Sequence, residues 1–141
     1  QTEIIKKELG WHEDEVESLY PNTLSFDKIE CMFTGIRDYI KLLKRGFSRI
    51  THRTTIDIKQ GKITRDEGLE LIDKYEKRKP RSLSVFLEYI GMCEDEFNDI
   101  CLKHVISPAK PIDPKTIPEG DKLWDQDLWF RDAEEGSRKD I

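Results

Sequence analysis

The chain is poor in everything that staples a small protein together. It has three cysteines in 141 residues, Cys31, Cys93 and Cys101. An odd number at wide spacing does not make a disulfide framework. The eight-residue step from Cys93 to Cys101 is a poor spacing for a metal knuckle, and His12, His52 and His104 do not cluster with the cysteines. No metal site is expected. No apolar run is long enough to cross a bilayer, and the amino end carries neither a basic-then-apolar leader nor a cleavage signal. A cytoplasmic location with no membrane span follows as an expectation. Apolar residues are also scarce, at 36% against 38% charged, so any core is small. The length fits one domain with a peripheral tail. The sequence starts at Gln1 without a methionine and runs straight into helix-like residues, so it reads as a piece of something longer.

Signature motifs are missing as well. There is no nucleophile elbow, metal-ligand helix, dinucleotide fingerprint or phosphate-cradling glycine loop. Gly46 and Gly61 are too far apart to form one such loop. The acidic pairs and triplets, Asp14-Glu15 and Glu94-Asp95-Glu96, fall at expected helix starts, where negative charge meets the positive end of the dipole. They read as capping charge, and His52 reads as a surface side chain. No catalytic residue can be assigned.

What the chain does have is an uneven distribution of charge. Its net charge is −5, yet residues 41–65 hold eight basic side chains and one acid, Asp57. That stretch is +7 and the remainder −12. A charge run is most often a solvated face, but asymmetry on this scale also suggests an anionic partner, most simply a phosphate. A nucleic acid fits poorly, because the chain is acidic overall and Phe47 is the one aromatic ring in the run.

The periodicity predicts an all-α fold, a small bundle of about five short helices. Residues 2–20 read as short helical pieces around Gly10-Trp11. Phe26, Ile29, Phe33, Ile36, Ile40 and Leu43 repeat at steps of three and four, which predicts a helix over about 26–44 with Ser25 as cap and Gly46 as stop. Thr64-Arg65-Asp66-Glu67 has the pattern of a capping box and opens a helix that ends before Pro80. Two more are predicted over about 82–90 and from about Glu94. Between the second and third, Thr51, Thr54, Thr55, Ile56 and Ile58 are β-branched and disfavour helix. Residues 47–63 are therefore expected to form an ordered basic loop, with a short extended piece at Thr55 to Ile58. From Ser107 the chain changes character: four of its six prolines fall at positions 108, 111, 114 and 118, where helix and sheet are both disfavoured. Trp124, Leu128, Trp129 and Phe130 then gather in a polar tail, and are expected to dock on the helices or a partner. The expected organisation is a helical domain over 1–106 and an extended proline- and tryptophan-containing tail over 107–141.

The basic loop mixes guanidinium groups, which hold phosphate oxygens in bidentate fashion, with hydroxyl donors. At this point a resemblance appears. The run from Tyr39 to Thr51, then Ile56-Asp57-Ile58, then Gly61 to Gly68, resembles the carboxyl-terminal part of the bacterial N-acetyl sugar amidotransferases of surface-polysaccharide and flagellar-glycan biosynthesis. Glu15 to Pro21 upstream, and Phe86 to Met92 with Glu94-Asp95-Glu96-Phe97 downstream, fit the same pattern, so the likeness covers about residues 9–104. It implies an ATP-dependent parent enzyme that turns the N-acetyl group of a nucleotide-linked sugar into an acetamidino group. In that reaction the amide oxygen is adenylated, and ammonia from a separate glutaminase subunit then displaces AMP. ATP, with magnesium, belongs to an amino-terminal pyrophosphatase domain whose Ser-Gly-Gly-x-Asp-Ser loop is not in this sequence, nor are that family's cysteine pairs. The fragment alone is therefore expected to be inactive and to hold no cofactor. Carried over by position, Arg49, Thr51, Arg53, Asp57 and Arg65 are the candidates for substrate or phosphate contact, with Gly46 and Gly61 shaping the loop. The competing expectation is a non-catalytic helical module that docks proteins through its acidic helices and tryptophan tail.

Overall fold

A single helix, carrying Ile36, Tyr39, Leu42 and Leu43, forms the centre of the molecule. The computed structural model describes residues 2–10, 31 and 33–120. Among these it places six α-helices and no strand: α1 (Thr2–Leu9), α2 (Thr34–Arg45), α3 (Arg49–Lys59), α4 (Arg65–Tyr75), α5 (Leu83–Ile90) and α6 (Glu94–Lys103). The all-α expectation holds. None of the described helices is long and apolar enough to cross a membrane.

The core forms where α5 and α6 pack on α2. Ile36, Tyr39, Leu42 and Leu43 meet Leu83, Leu87, Phe97 and Cys101, all nearly closed to solvent. Burying each large side chain contributes roughly 1.5–3 kcal/mol. Phe33, Phe86 and Phe97 continue the core as a run of edge-to-face rings, with centroids 5.3 and 6.1 Å apart. α2 stops at Gly46, whose φ of 77° gives the left-handed turn that side chains resist, and whose N–H donates to the Leu42 carbonyl.

Two helix boundaries differ from the sequence reading. α2 begins at Thr34, with Phe33 as its cap and no side-chain hydrogen bond there. Phe26, Ile29 and the expected Ser25 cap lie outside the described residues. The larger correction is at 47–63. Instead of an ordered loop with an extended piece, most of that stretch is α3, which is why six helices appear where about five were expected. The threonines that argued against a helix are accommodated by bonding back along it. Thr54 Oγ1 donates to the Ile50 carbonyl and Thr55 Oγ1 to the Thr51 carbonyl at 2.7 Å. Ser48 caps the start, accepting from the Ile50 N–H. Packing then outweighs a propensity deficit of only a few tenths of a kcal/mol per residue. Ile50 is 1% exposed and Thr54 fully buried, and α3 lies tightly on α4. Gly68 of α4 allows that approach, because a Cβ there would fall 2.8 Å from Ile58 Cδ1.

Between α6 and Gly120 the described chain is irregular, as its prolines require, apart from one 3-10 turn at Pro114–Thr116. It returns to the core through Ile117, which is 5% exposed, and Lys79 and Glu119 form an isolated parallel bridge. Trp124, Leu128, Trp129 and Phe130 lie outside the described residues.

Candidate functional site

The basic segment is organised by three carboxylates that face inward. Asp38 on α2 is 4% exposed, and its oxygen lies 2.8 Å from Arg49 Nε at the first position of α3. Burial pushes the Asp38 carboxyl above its ordinary range, and the Arg49 guanidinium pulls it back. One turn further along α3, Arg53 grips Asp57 with two bonds, Nε to Oδ2 at 3.2 Å and Nη2 to Oδ1 at 2.9 Å. Lys62 Nζ approaches the same Asp57 oxygen at 3.7 Å. The third carboxylate is Glu76, just past the end of α4 and 6% exposed. It accepts from the backbone N–H of Ser48 and, at 2.9 Å, from that of Thr51.

Glu76 therefore fills the position at the start of α3 where main-chain amides would otherwise receive a phosphate. The start of α4 is filled in the same way. Thr64 Oγ1 accepts from the Glu67 N–H, while Glu67 accepts from the Thr64 N–H at 2.7 Å, completing the predicted capping box. The Thr64 N–H, and after it the Thr64 hydroxyl donating to the same carboxylate at 2.8 Å, hold the Glu67 carboxyl below its usual range. Both helix starts bordering the basic segment are thus occupied by the chain's own carboxylates. Any external anion there would meet side chains rather than amides.

The predicted residues separate accordingly. Arg49 is 7% exposed and ties α3 to α2. Thr51 is half-buried, its N–H given to Glu76 and its carbonyl to the Thr54 and Thr55 hydroxyls. Arg53 and Asp57 form one pair, which Lys62 joins. Arg65 is exposed in the first turn of α4. Gly46 ends α2, and Gly61, at φ 68°, lies in the α3–α4 turn. Arg53, Asp57 and Lys62 are brought together; Arg49 is paired elsewhere. Lys59, Lys62 and Arg65 give the α3–α4 corner an exposed cationic surface.

Asp38, Glu76 and Gly68 were missed from sequence. Gly68 carried a readable signal, a glycine inside a helical pattern, which usually marks close packing. Asp38 sits beside Leu42 on the helical wheel, an acid at the edge of an apolar face, but nothing marks Arg49 as its partner. Glu76 lies in a run of charges and carries no signal at all.

The resemblance implies ATP and magnesium in a parent enzyme, and the described residues do not fit them. No group of three or more His, Cys, Asp or Glu among these residues is placed to hold a metal, and the starts of α3 and α4 are already filled by Glu76 and Glu67. A family model described as the WbpG-like C-terminal domain of LPS biosynthesis proteins matches residues 17–113, well over half of the chain. No curated protein and no solved structure matches it. With the family match spanning α2 to α6 and the whole basic segment, the chain belongs to the WbpG-like LPS biosynthesis protein family, as its C-terminal domain.

Proposed function

We propose that this domain completes the nucleotide-sugar site of a cytoplasmic LPS-biosynthesis amidotransferase. The observation that carries this reading is the family match over residues 17–113, joined to the cationic corner that the fold leaves exposed. The parent reaction converts the N-acetyl group of a nucleotide-linked sugar to an acetamidino group. ATP with magnesium is held by an amino-terminal pyrophosphatase domain of the same protein, and ammonia comes from a glutaminase subunit.

Within this chain, Arg65, Lys62 and Lys59 meet the diphosphate of the nucleotide sugar, and Asp57 holds the Arg53 guanidinium flat beside them. Arg49 and Thr51 act one step back: their contacts with Asp38 and Glu76 fix the start of α3 and so the position of Arg53. Arg49 is thus a positioning residue. With both helix starts filled by Glu76 and Glu67, recognition rests on side-chain cations and is strongly salt-sensitive.

Titration with a uridine-diphosphate N-acetyl sugar tests this. Amide signals of residues 59–65 should shift, Arg65→Ala should weaken binding roughly tenfold, and affinity should fall as salt is raised. Unmoved signals at 59–65 in the chain joined to its parent would overturn the assignment. A second reading, a non-catalytic docking module, draws on α1, whose Ile4, Ile5 and Leu9 are 65%, 41% and 77% exposed. It predicts that Ile4→Asp with Leu9→Asp abolishes association with a partner protein and leaves sugar binding intact.

A further inference from the structure

A polar cleft lies away from the basic corner, where the segment leading from α4 into α5 faces the start of α6. It has a volume of about 280 Å³ and is walled by Lys79, Arg81, Ser84, Glu94 and Glu119. Its rim is held by the main chain. The Lys79 N–H donates to the Pro118 carbonyl and the Gly120 N–H to the Lys79 carbonyl, both at 2.8 Å. Glu119 is thereby fixed opposite Lys79. At Gly120 a Cβ would sit 3.4 Å from the Lys79 carbonyl oxygen, in ordinary contact with it.

The charges in this cleft are of two kinds. Lys79 and Glu94 are already paired, Nζ to Oε1 at 3.1 Å, and the Lys79 side chain is 19% exposed. Arg81 and Glu119 are exposed, and neither forms an ion pair among the described residues. The four charged walls sum to zero, so neither a simple anion nor a simple cation is favoured. A neutral ligand would leave the Arg81 and Glu119 charges with water alone. A molecule carrying both signs satisfies each: its carboxylate takes the Arg81 fork, and its ammonium takes Glu119 and the free lone pairs of Glu94. The volume lies just under the range that holds drug-sized ligands, which limits the guest to a small metabolite.

We propose that this cleft binds a small zwitterion of the α-amino acid class. The site is independent of the α3–α4 corner and shares no residue with it. Titrating the full chain with L-alanine should give saturable amide shifts at Ser84, Val85, Glu119 and Gly120 while residues 59–65 stay still. Arg81→Gln and Glu119→Gln should each weaken the binding roughly tenfold. Both side chains are exposed, so unchanged signals in α2 and α6 would verify that the variants are folded. N-acetyl-L-alanine methylamide, with neither charge, should not bind. Absence of saturable shifts into the high millimolar range would overturn the proposal. So would equal binding of the uncharged control or of N-acetylglucosamine, or undiminished affinity in both variants.

Discussion

Arg49 and Asp38 meet at 2.8 Å in the interior, and through that contact α3 is fastened to the core helix α2. A guanidinium expected among those meeting an external phosphate has an internal partner. Breaking a buried pair from one side leaves the other charge stranded, at a cost of about 3–5 kcal/mol, whereas replacing both members by apolar groups costs far less. Arg49→Met and Asp38→Leu should each strongly lower the urea midpoint. The double variant should be more stable than the sum of the two losses allows. Additive single losses would mean that the two side chains are not coupled.

The same contact has a pH signature. In the folded chain the Asp38 carboxyl titrates above 3.8, because burial disfavours its charge more than Arg49 favours it. Between 3.8 and that raised value the folded state holds a proton that the unfolded chain has released. The Asp38 contribution to stability therefore falls as pH rises through this window. Asp38→Asn, although less stable throughout, should lack that decline when unfolding free energy is followed from pH 3.5 upward. An unchanged slope would assign the titration to another group.

Glu76 takes the place of a bound anion at the start of α3. It lies 28 residues from Ser48, to whose N–H it bonds, so the contact belongs to tertiary structure alone. Glu76→Ala leaves the Ser48 and Thr51 N–H groups without that acceptor and should cost about 2 kcal/mol. Glu76→Gln keeps an accepting oxygen and should lose about half as much. Hydrogen exchange at these two amides gives the direct measurement. Both should lose protection in the alanine variant, while amides in the middle of α2 change only as far as global stability does.

These contacts explain what could and could not be read from the chain. α2, α4, α5 and α6 were legible because each carries its own evidence: a stripe of apolar residues, a capping box, a glycine stop. Local rules and tertiary packing agree there. α3 was not legible. Its β-branched residues speak against helix one at a time, and what overrides them comes from Glu76, Asp38 and the close approach at Gly68, all distant in sequence. The basic character of residues 41–65 was evident at once. Which cations face inward depends on partners that no spacing identifies, so Arg49 and Arg65 looked alike in the sequence and differ in the fold.

Tyr39 offers the sharpest test of the core. It is 2% exposed, yet its hydroxyl has no hydrogen-bond partner among the described residues. Burial, and after it the nearby Glu94 carboxylate, drive its ionisation well above the ordinary range for a phenol. A buried hydroxyl without a partner costs about 1–3 kcal/mol relative to one that is satisfied, and removing it lifts that cost while the ring keeps its packing. Tyr39→Phe should therefore leave stability unchanged or raise it by up to about 1 kcal/mol, against the general tendency of core substitutions to destabilise. Ultraviolet titration should find one phenol fewer among the residues that resist ionisation at pH 11. A loss of more than about 1 kcal/mol on removing the oxygen would mean that the hydroxyl has a partner worth keeping.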